Sequence, residues 1–347
     1  MLINKELSME EFVNIIKIPV LAFILIPFIT NRALGAETDQ FYAASAIIRD
    51  SSNEINDFFQ QNIEKGLYKS NHLKTETPCQ EVAIEILTQV LGEFSIKEYI
   101  KDKTFSKVSY FVQKSPLVDR YPNDNMNSTD YRALSIYKSR PFPSNMVEVA
   151  RTININGFFV GSDKIGHFSI LGKTYYKNFL KELANGLTAD QAQSKAIQEG
   201  FRQEIAVLGY AVGGTLSYAD LEANYQGLQY ARNMCEGHAP HLVKLNGVWI
   251  QNSKNRFDIR NYVNPKMDEA FNVSFWSPRL WKKIKSDVVS AYCTNKQDPN
   301  FKLREEVYDS VVKITINDKL IESFVKEHPR FDRSKQLLMG QNCLNKK

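Results

Sequence analysis

The chain is poor in cysteine. Four residues among 347 are too few for a disulfide-dense mini-fold, though enough for one or two disulfides. It is also poor in glycine and proline, with 16 and 12 residues, which excludes a collagen-like or low-complexity protein. Neither sign of charge dominates: 44 basic against 39 acidic residues leave a net +5. No Lys/Arg run marks a nucleic-acid arm, so nucleic acid is not an expected partner. Beyond the N-terminal segment, nothing approaches the ~18 uninterrupted apolar residues of a membrane-spanning helix. Familiar catalytic signatures are missing too: there is no Gly-x-Ser-x-Gly, no His-Glu-x-x-His and no Walker-type loop. What remains is 43% hydrophobic and 24% charged, enough apolar material for one large core or two ordinary ones.

Residues 1–36 stand apart. Ile15 to Ile29 is almost wholly apolar, broken by Lys17, Pro19 and Pro27. Ala33-Leu34-Gly35-Ala36 offers small residues for a signal peptidase, followed by polar Glu37-Thr38-Asp39. An apolar run of roughly 12–15 residues is short for a membrane span and suits a signal-peptide core. The expectation is cleavage and a periplasmic or secreted protein, with a retained N-terminal anchor as the alternative. Cleavage there leaves no N-terminal cysteine, which argues against a lipoprotein.

The rest reads as mainly α, a helical bundle with two short β-hairpins. Four regions are expected: the signal segment 1–36, an N-terminal helical region 37–150, a hairpin plus three-helix core at 151–237, and a C-terminal region 238–347 packed on that core. Phe41 to Tyr68 and Pro78 to Ile100 carry helical spacing, the latter with Val82, Ile86, Leu87 and Val90 on one stripe. Residues 115–145 read as a long loop rich in Pro, Asn, Asp and Ser. Alternating apolar arms flank Asn156-Gly157 and Asn246-Gly247, and Asn-Gly supplies the positive φ angles of a two-residue hairpin turn. Between the hairpins, Ser162 can cap a helix running to about Ala184. Thr188-Ala189-Asp190-Gln191 is a capping box opening a second, to about Leu208. Ser217 opens a third, ending near Gly237. Short helices follow at Pro278–Tyr292, Leu303–Val312 and Leu320–Lys326.

Polar residues on the three central helices are oddly placed. Asp163 and His167 lie one turn apart on the same face. Glu204 lies at the edge of the apolar stripe Ile197, Phe201, Ile205 and Leu208, where an ionised carboxylate is costly unless paired or metal-bound. Asp220 and Asn224 share a face with small residues Ala223, Gly227 and Ala231, which let another backbone come close. One three-helix unit can therefore gather Asp163, His167, Glu204, Asp220 and Asn224. The chemistry this suits is a divalent metal on His167, Glu204 and Asp220, or a base with orienting acids. The alternative is a satisfied buried network with a structural role.

Asp163-Lys164-Ile165-Gly166-His167-Phe168 resembles the Asp-Lys-x-x-His-Phe motif of the VanZ-like family. Glu204 stands sixteen residues before Asp220, as that family's Glu does before its Asp, and Ser217-x-x-Asp220-x-x-Ala223-Asn224-x-x-Gly227 is similar to its closing pattern. A family of predicted periplasmic lipoproteins of unknown function carries a similar opening and ending. The resemblance covers residues 160–230. Val207 stands where the family usually has Gln, and the central helices carry Lys173, Lys177, Lys181 and Glu182, unlike small multi-span membrane proteins. The resemblance implies a link to glycopeptide tolerance and the cell envelope, and no established reaction.

Elsewhere, Cys235-x-x-His238-x-x-His241 has metal-ligand residue types, set against a disulfide of Cys235 with Cys79, Cys293 or Cys343. A late aromatic group (Phe257, Tyr262, Phe271, Phe275, Trp276, Trp281) reads as core, or as a sugar-stacking platform if exposed. Two functions follow as expectations. One is a hydrolase acting on peptidoglycan or an envelope lipid, with His167 as base or metal ligand, Glu204 and Asp220 as ligands or acid/base groups, and Asp163 and Asn224 orienting. The other is a non-catalytic protein that binds or scaffolds an envelope glycan or lipid, with peripheral membrane contact. An accessible cleft over His167 favours the first, a sealed cluster the second.

Overall fold

The computed structural model describes residues 37–73, 76–92, 106–140, 148–311, 313, 315–316, 318–338 and 343. The expected signal segment and residues 93–100, the end of the expected Pro78–Ile100 helix, lie outside them. The protein is mainly α. Its helices are α1 (Ser52–Leu73), α2 (Cys79–Leu91), α3 (Lys107–Lys114), α4 (Ser128–Leu134), α5 (Ser162–Ala184), α6 (Ala189–Gln203), α7 (Tyr210–Gly213), α8 (Tyr218–Asn233), α9 (Pro278–Asn295), α10 (Pro299–Asp309), α11 (Asp318–Glu327) and α12 (Ser334–Leu337). The strands are β1 (Glu37–Thr38), β2 (Val149–Ala150), β3 (Thr152–Ile155), β4 (Phe158–Gly161), β5 (Thr215–Leu216), β6 (Leu242–Leu245), β7 (Val248–Gln251) and β8 (Phe275–Trp276). They pair two by two: β1 with β2 in parallel, and β3 with β4, β5 with β8 and β6 with β7 antiparallel. Among the described residues, no helix is long and apolar enough to cross a membrane.

Both expected hairpins form. Asn156 and Gly157 have φ of 54° and 85°, and Asn246 and Gly247 have 51° and 82°, so each turn uses its Asn-Gly pair in the left-handed region. The capping box at Thr188 is complete in both directions, and Ser217 accepts from the Asp220 amide. Ser162 does not cap. Strand β4 runs straight into α5, Gly161 holds the cap position, and the Ser162 hydroxyl is buried without a hydrogen-bond partner. The first helix starts at Ser52 rather than Phe41, because Asp50 accepts from the Ser52 amide and hydroxyl and stops the helix there. Phe41 and Ala44 instead join a second apolar cluster with Trp276, Leu280, Ile284 and Phe301, while Ile47 is 95% exposed. Within the expected loop 115–145, α4 forms because the Asn127 side chain accepts from the Thr129 and Asp130 amides. Helix α3, capped by Ser106, was not anticipated.

The main core gathers α1, α2, α3, α5, α6, α8 and the β3–β4 hairpin. Phe257, Tyr262, Phe275 and Trp276 are buried in the two cores, so they form no sugar platform. The stripe of small residues on α8 meets α5 backbone to backbone. A β-carbon on Gly227 would lie 1.9 Å from the Phe168 carbonyl oxygen, and one on Gly172 would lie 2.6 Å from the Gly227 Cα. Backbone cannot rotate aside as a side chain can. Gly227→Ala should therefore cost about 3 kcal/mol, the upper end of overpacking penalties. A denaturant series returning less than about 1 kcal/mol would contradict this packing.

Cys79 is bonded to Cys235, tying the start of α2 to the end of α8. Cys293 is bonded to Cys343, and no described cysteine is free. Cys235 thus forms the expected disulfide, with Cys79 as its partner, and the alternative Cys235/His238/His241 metal set does not form. His238 is exposed, and the two ring nitrogens of His241 contact the Asn255 carbonyl at 2.8 Å and the Tyr262 hydroxyl at 2.6 Å.

Candidate functional site

Three elements deliver the polar cluster: the first two turns of α5, the first two turns of α8, and the junction following α6. The close α5–α8 approach brings Asp163, Lys164 and His167 against Asp220 and Asn224. At its centre lies the Lys164 ammonium, with Nζ 2.8 Å from Asp163 Oδ2, 2.6 Å from Asp220 Oδ1 and 2.5 Å from Glu269 Oε1. Thr38 donates to Asp163 Oδ1 at 2.7 Å, and Ser217 donates to Glu269 Oε1 at 3.1 Å. Gln40 binds the segment from behind: its amide nitrogen donates to the Phe159 carbonyl, and its oxygen accepts from the Glu269 amide.

His167 is oriented by its outer nitrogen. Nδ1 is 3.1 Å from Asn224 Oδ1, and Asn224 Nδ2 in turn donates to the Tyr175 hydroxyl at 3.4 Å. With the amide turned that way, Nδ1 carries the proton and donates. The other nitrogen, Nε2, faces Asp220 Oδ2 at 3.5 Å. Asp163, His167 and Asp220 each offer a ligand atom, all within 4.8 Å of one another.

Glu204 reaches the cluster differently. Helix α6 does not run on to Leu208 as an α-helix; it widens into a π-helical turn over Glu204–Leu208. Such turns are rare and recur at functional sites. Glu204 is fully buried, and neither carboxyl oxygen has a hydrogen-bond partner among the described residues. Its Oε1 packs against Gly209, where a β-carbon would lie 2.5 Å away. Burial raises the Glu204 pKa well above the usual carboxylate range, and the Asp220 and Glu37 charges add to the rise while Lys164 opposes it.

A second buried pair extends the network. Glu37, in β1, is 3.8 Å from the Arg140 guanidinium, which donates to the Thr215 hydroxyl at 3.2 Å and stacks over the Tyr137 ring. Burial raises Glu37 well above its ordinary pKa although Arg140 opposes the rise. Glu269 is pushed up to about 7 by burial, against the lowering effect of Lys164. Burial alone would pull Lys164 down, but Asp163, Asp220, Glu269 and Glu37 together hold it well above its ordinary value.

Of the five expected residues, Asp163, His167, Asp220 and Asn224 are linked by contact through Lys164 and the histidine ring. Glu204 stands beside them within reach of their charges but bonded to none. The three-ligand group includes Asp163 where sequence spacing suggested Glu204. Lys164, Glu269, Glu37, Thr38 and Arg140 escaped sequence reasoning as members. Lys164 lay inside the quoted motif, and its signal was a lysine in the first turn of a helix flanked by core positions. Glu37 and Glu269 carried no local signal, since one arrives on the two-residue strand β1 and the other on an irregular segment. All members are sealed: Asp163 is 4% exposed and His167, Lys164, Asp220, Glu204 and Asn224 no more than 1%. No family model, curated protein or solved structure matches this chain, so the likeness to the VanZ-like family stands on the motif residues alone.

Proposed function

We propose that this chain is an exported cell-envelope protein, periplasmic or secreted, that binds or scaffolds an envelope component and whose buried cluster serves the fold. The observation that carries the non-catalytic reading is burial. No member of the cluster is more than 5% exposed, and a substrate bond must reach within hydrogen-bond distance of the groups that act on it. Two disulfides support an oxidising compartment, where such bonds persist. The β6–β7 hairpin supports a contact surface: Leu245 and Val248 are exposed beside its turn and Ile250 further along β7, and Lys244 lies over the Trp249 ring. That mixture suits an envelope lipid or glycan face.

Hydrolysis of peptidoglycan or an envelope lipid is the second reading. One observation favours it: Glu204 holds an unpartnered carboxyl on a π-helical turn, the kind of local irregularity that functional sites use. The test is a pair of assays on chain recovered from the envelope fraction. All four cysteines should resist alkylation until reduced. Sacculi and phospholipid vesicles should co-sediment the protein without release of product. Free thiols in native material would remove the compartment, and product release that His167→Ala abolishes would replace the first reading by the second.

A further inference from the structure

We infer that the cluster is a binding site for a first-row divalent cation such as manganese or zinc, with Asp163, His167 and Asp220 as ligands and the unpartnered Glu204 carboxyl beside them. The inference deepens the reading of the cluster as an interior site. Metal content is measured independently of turnover and of export, so either can fail alone.

Three independent features point to a cation. The first is the direction of the histidine ring. With Nδ1 turned to Asn224 Oδ1 at 3.1 Å, Nε2 is turned toward Asp220 Oδ2 at 3.5 Å, and an oxygen of Asp163 completes three ligand atoms within 4.8 Å of one another. A metal-ligating histidine commonly has this arrangement, its outer N–H fixed by a neighbouring oxygen, here itself anchored by Tyr175. The second feature is Glu204. A fully buried carboxyl with both oxygens unpartnered has lost its water without replacement, and buried polar groups are otherwise nearly always satisfied. The charges that act on it, after its own burial, include those of Asp220 and Asp163.

The third feature is charge. Glu37, Asp163, Glu204, Asp220 and Glu269 face two fixed cations, Lys164 and Arg140. Five buried carboxyls against two cations make an interior rich in oxygen donors and short of cations. The donor set of one imidazole and several carboxylates suits manganese, iron or zinc and is too poor in sulfur for copper(I). Thr38 and Lys164 donate to Asp163, and Lys164 also lies against Asp220, so both would orient the ligand carboxylates as neighbours of metal ligands do.

The experiment uses the full chain without an affinity tag, expressed with manganese or zinc added to the medium. Plasma mass spectrometry of the purified protein reads the metal, and titration of chelator-treated protein with MnCl2 or ZnCl2 alone reads affinity. One ion per chain is expected, with a rise in melting temperature on loading. His167→Ala and Asp220→Asn should each weaken binding at least tenfold. Glu204→Gln, nearly isosteric and uncharged, should weaken it while the helical circular-dichroism signal is kept. His238→Ala, in the exposed loop after α8, should change nothing. Retention of only one of the two metals would identify the occupant. Less than a tenth of an ion per chain for both metals, or binding lost in His238→Ala and kept in His167→Ala, would overturn the proposal.

Discussion

Replacing Lys164 by methionine is expected to cost about 4 kcal/mol or more. Methionine fills much of the same volume, so the loss isolates the charge. The ammonium is fully buried and meets three carboxylates, at 2.8, 2.6 and 2.5 Å. Removing one partner of a buried pair typically costs ~3–5 kcal/mol, because the other charge stays in low dielectric with nothing to balance it. Here one substitution strands Asp163, Asp220 and Glu269 together. The loss should shrink in acid, since Glu269 takes a proton near pH 7 and then needs its partner less. Urea unfolding at two pH values measures both effects. Arg202→Met is the matched surface control: its pair with Glu199 is largely exposed and should contribute below about 1 kcal/mol. A Lys164 loss no larger than the Arg202 loss would show that the cluster is solvated in solution and not the sealed core described here.

The elements written locally in the chain were the legible ones. Asn156-Gly157, Asn246-Gly247, the Thr188 capping box and the Ser217 cap each act within four residues, so sequence placed both hairpins and the starts of α6 and α8 closely. The Gly172–Gly227 contact was half legible. Small residues at 223, 227 and 231 announced a close approach, but not that α5 would supply the partner. The errors have one physical source, competition between local periodicity and tertiary or side-chain capping. Phe41 and Ala44 keep helical spacing with later residues, yet Asp50 starts the helix afresh and the earlier segment turns toward α9 and α10. The π-helical turn at Glu204 was invisible because its apolar spacing continues the 3.6-residue pattern. The site shows the same division. Residues on regular helices could be assembled from spacing, whereas Glu37 and Glu269 are brought in by β1 and an irregular segment that only the folded chain positions.

Stability should fall as pH rises from about 4 to 8, the reverse of ordinary acid denaturation. The cause is burial of carboxyl groups that lack full compensation. Asp39 is raised to about 6 by burial, although the Ile136 and Tyr42 amides donate to it. Asp268 is raised to about 6 by burial, with Arg304 opposing. Glu269 is raised to about 7, again by burial, with Lys164 opposing. Unfolded, these groups titrate near ~4. The folded state therefore holds more protons than the unfolded chain between about pH 4 and pH 7, and linkage makes stability decrease with pH across that window. The contribution is complete below about pH 4 and lost as pH passes through 6 and 7. Raising a single group by about two pH units corresponds to about 3 kcal/mol, so half of that across three groups is about 4–5 kcal/mol. Asp50, Asp124 and Asp258 act in the opposite sense: partial burial would raise them, but hydrogen bonds from Asn156 and Ser52, from Arg120, and from Arg260 and Asn56 hold them low. They are partly exposed, so solvent screens their share. Denaturant midpoints taken at intervals from pH 4.5 to 8 should decline throughout. Asp39→Asn deletes one titrating group at the loss of one backbone hydrogen bond, and should flatten the slope by about a third. A midpoint that rises with pH, or an Asp39→Asn profile parallel to the parent, would mean that these carboxyls are ionised in the folded protein and that water reaches them.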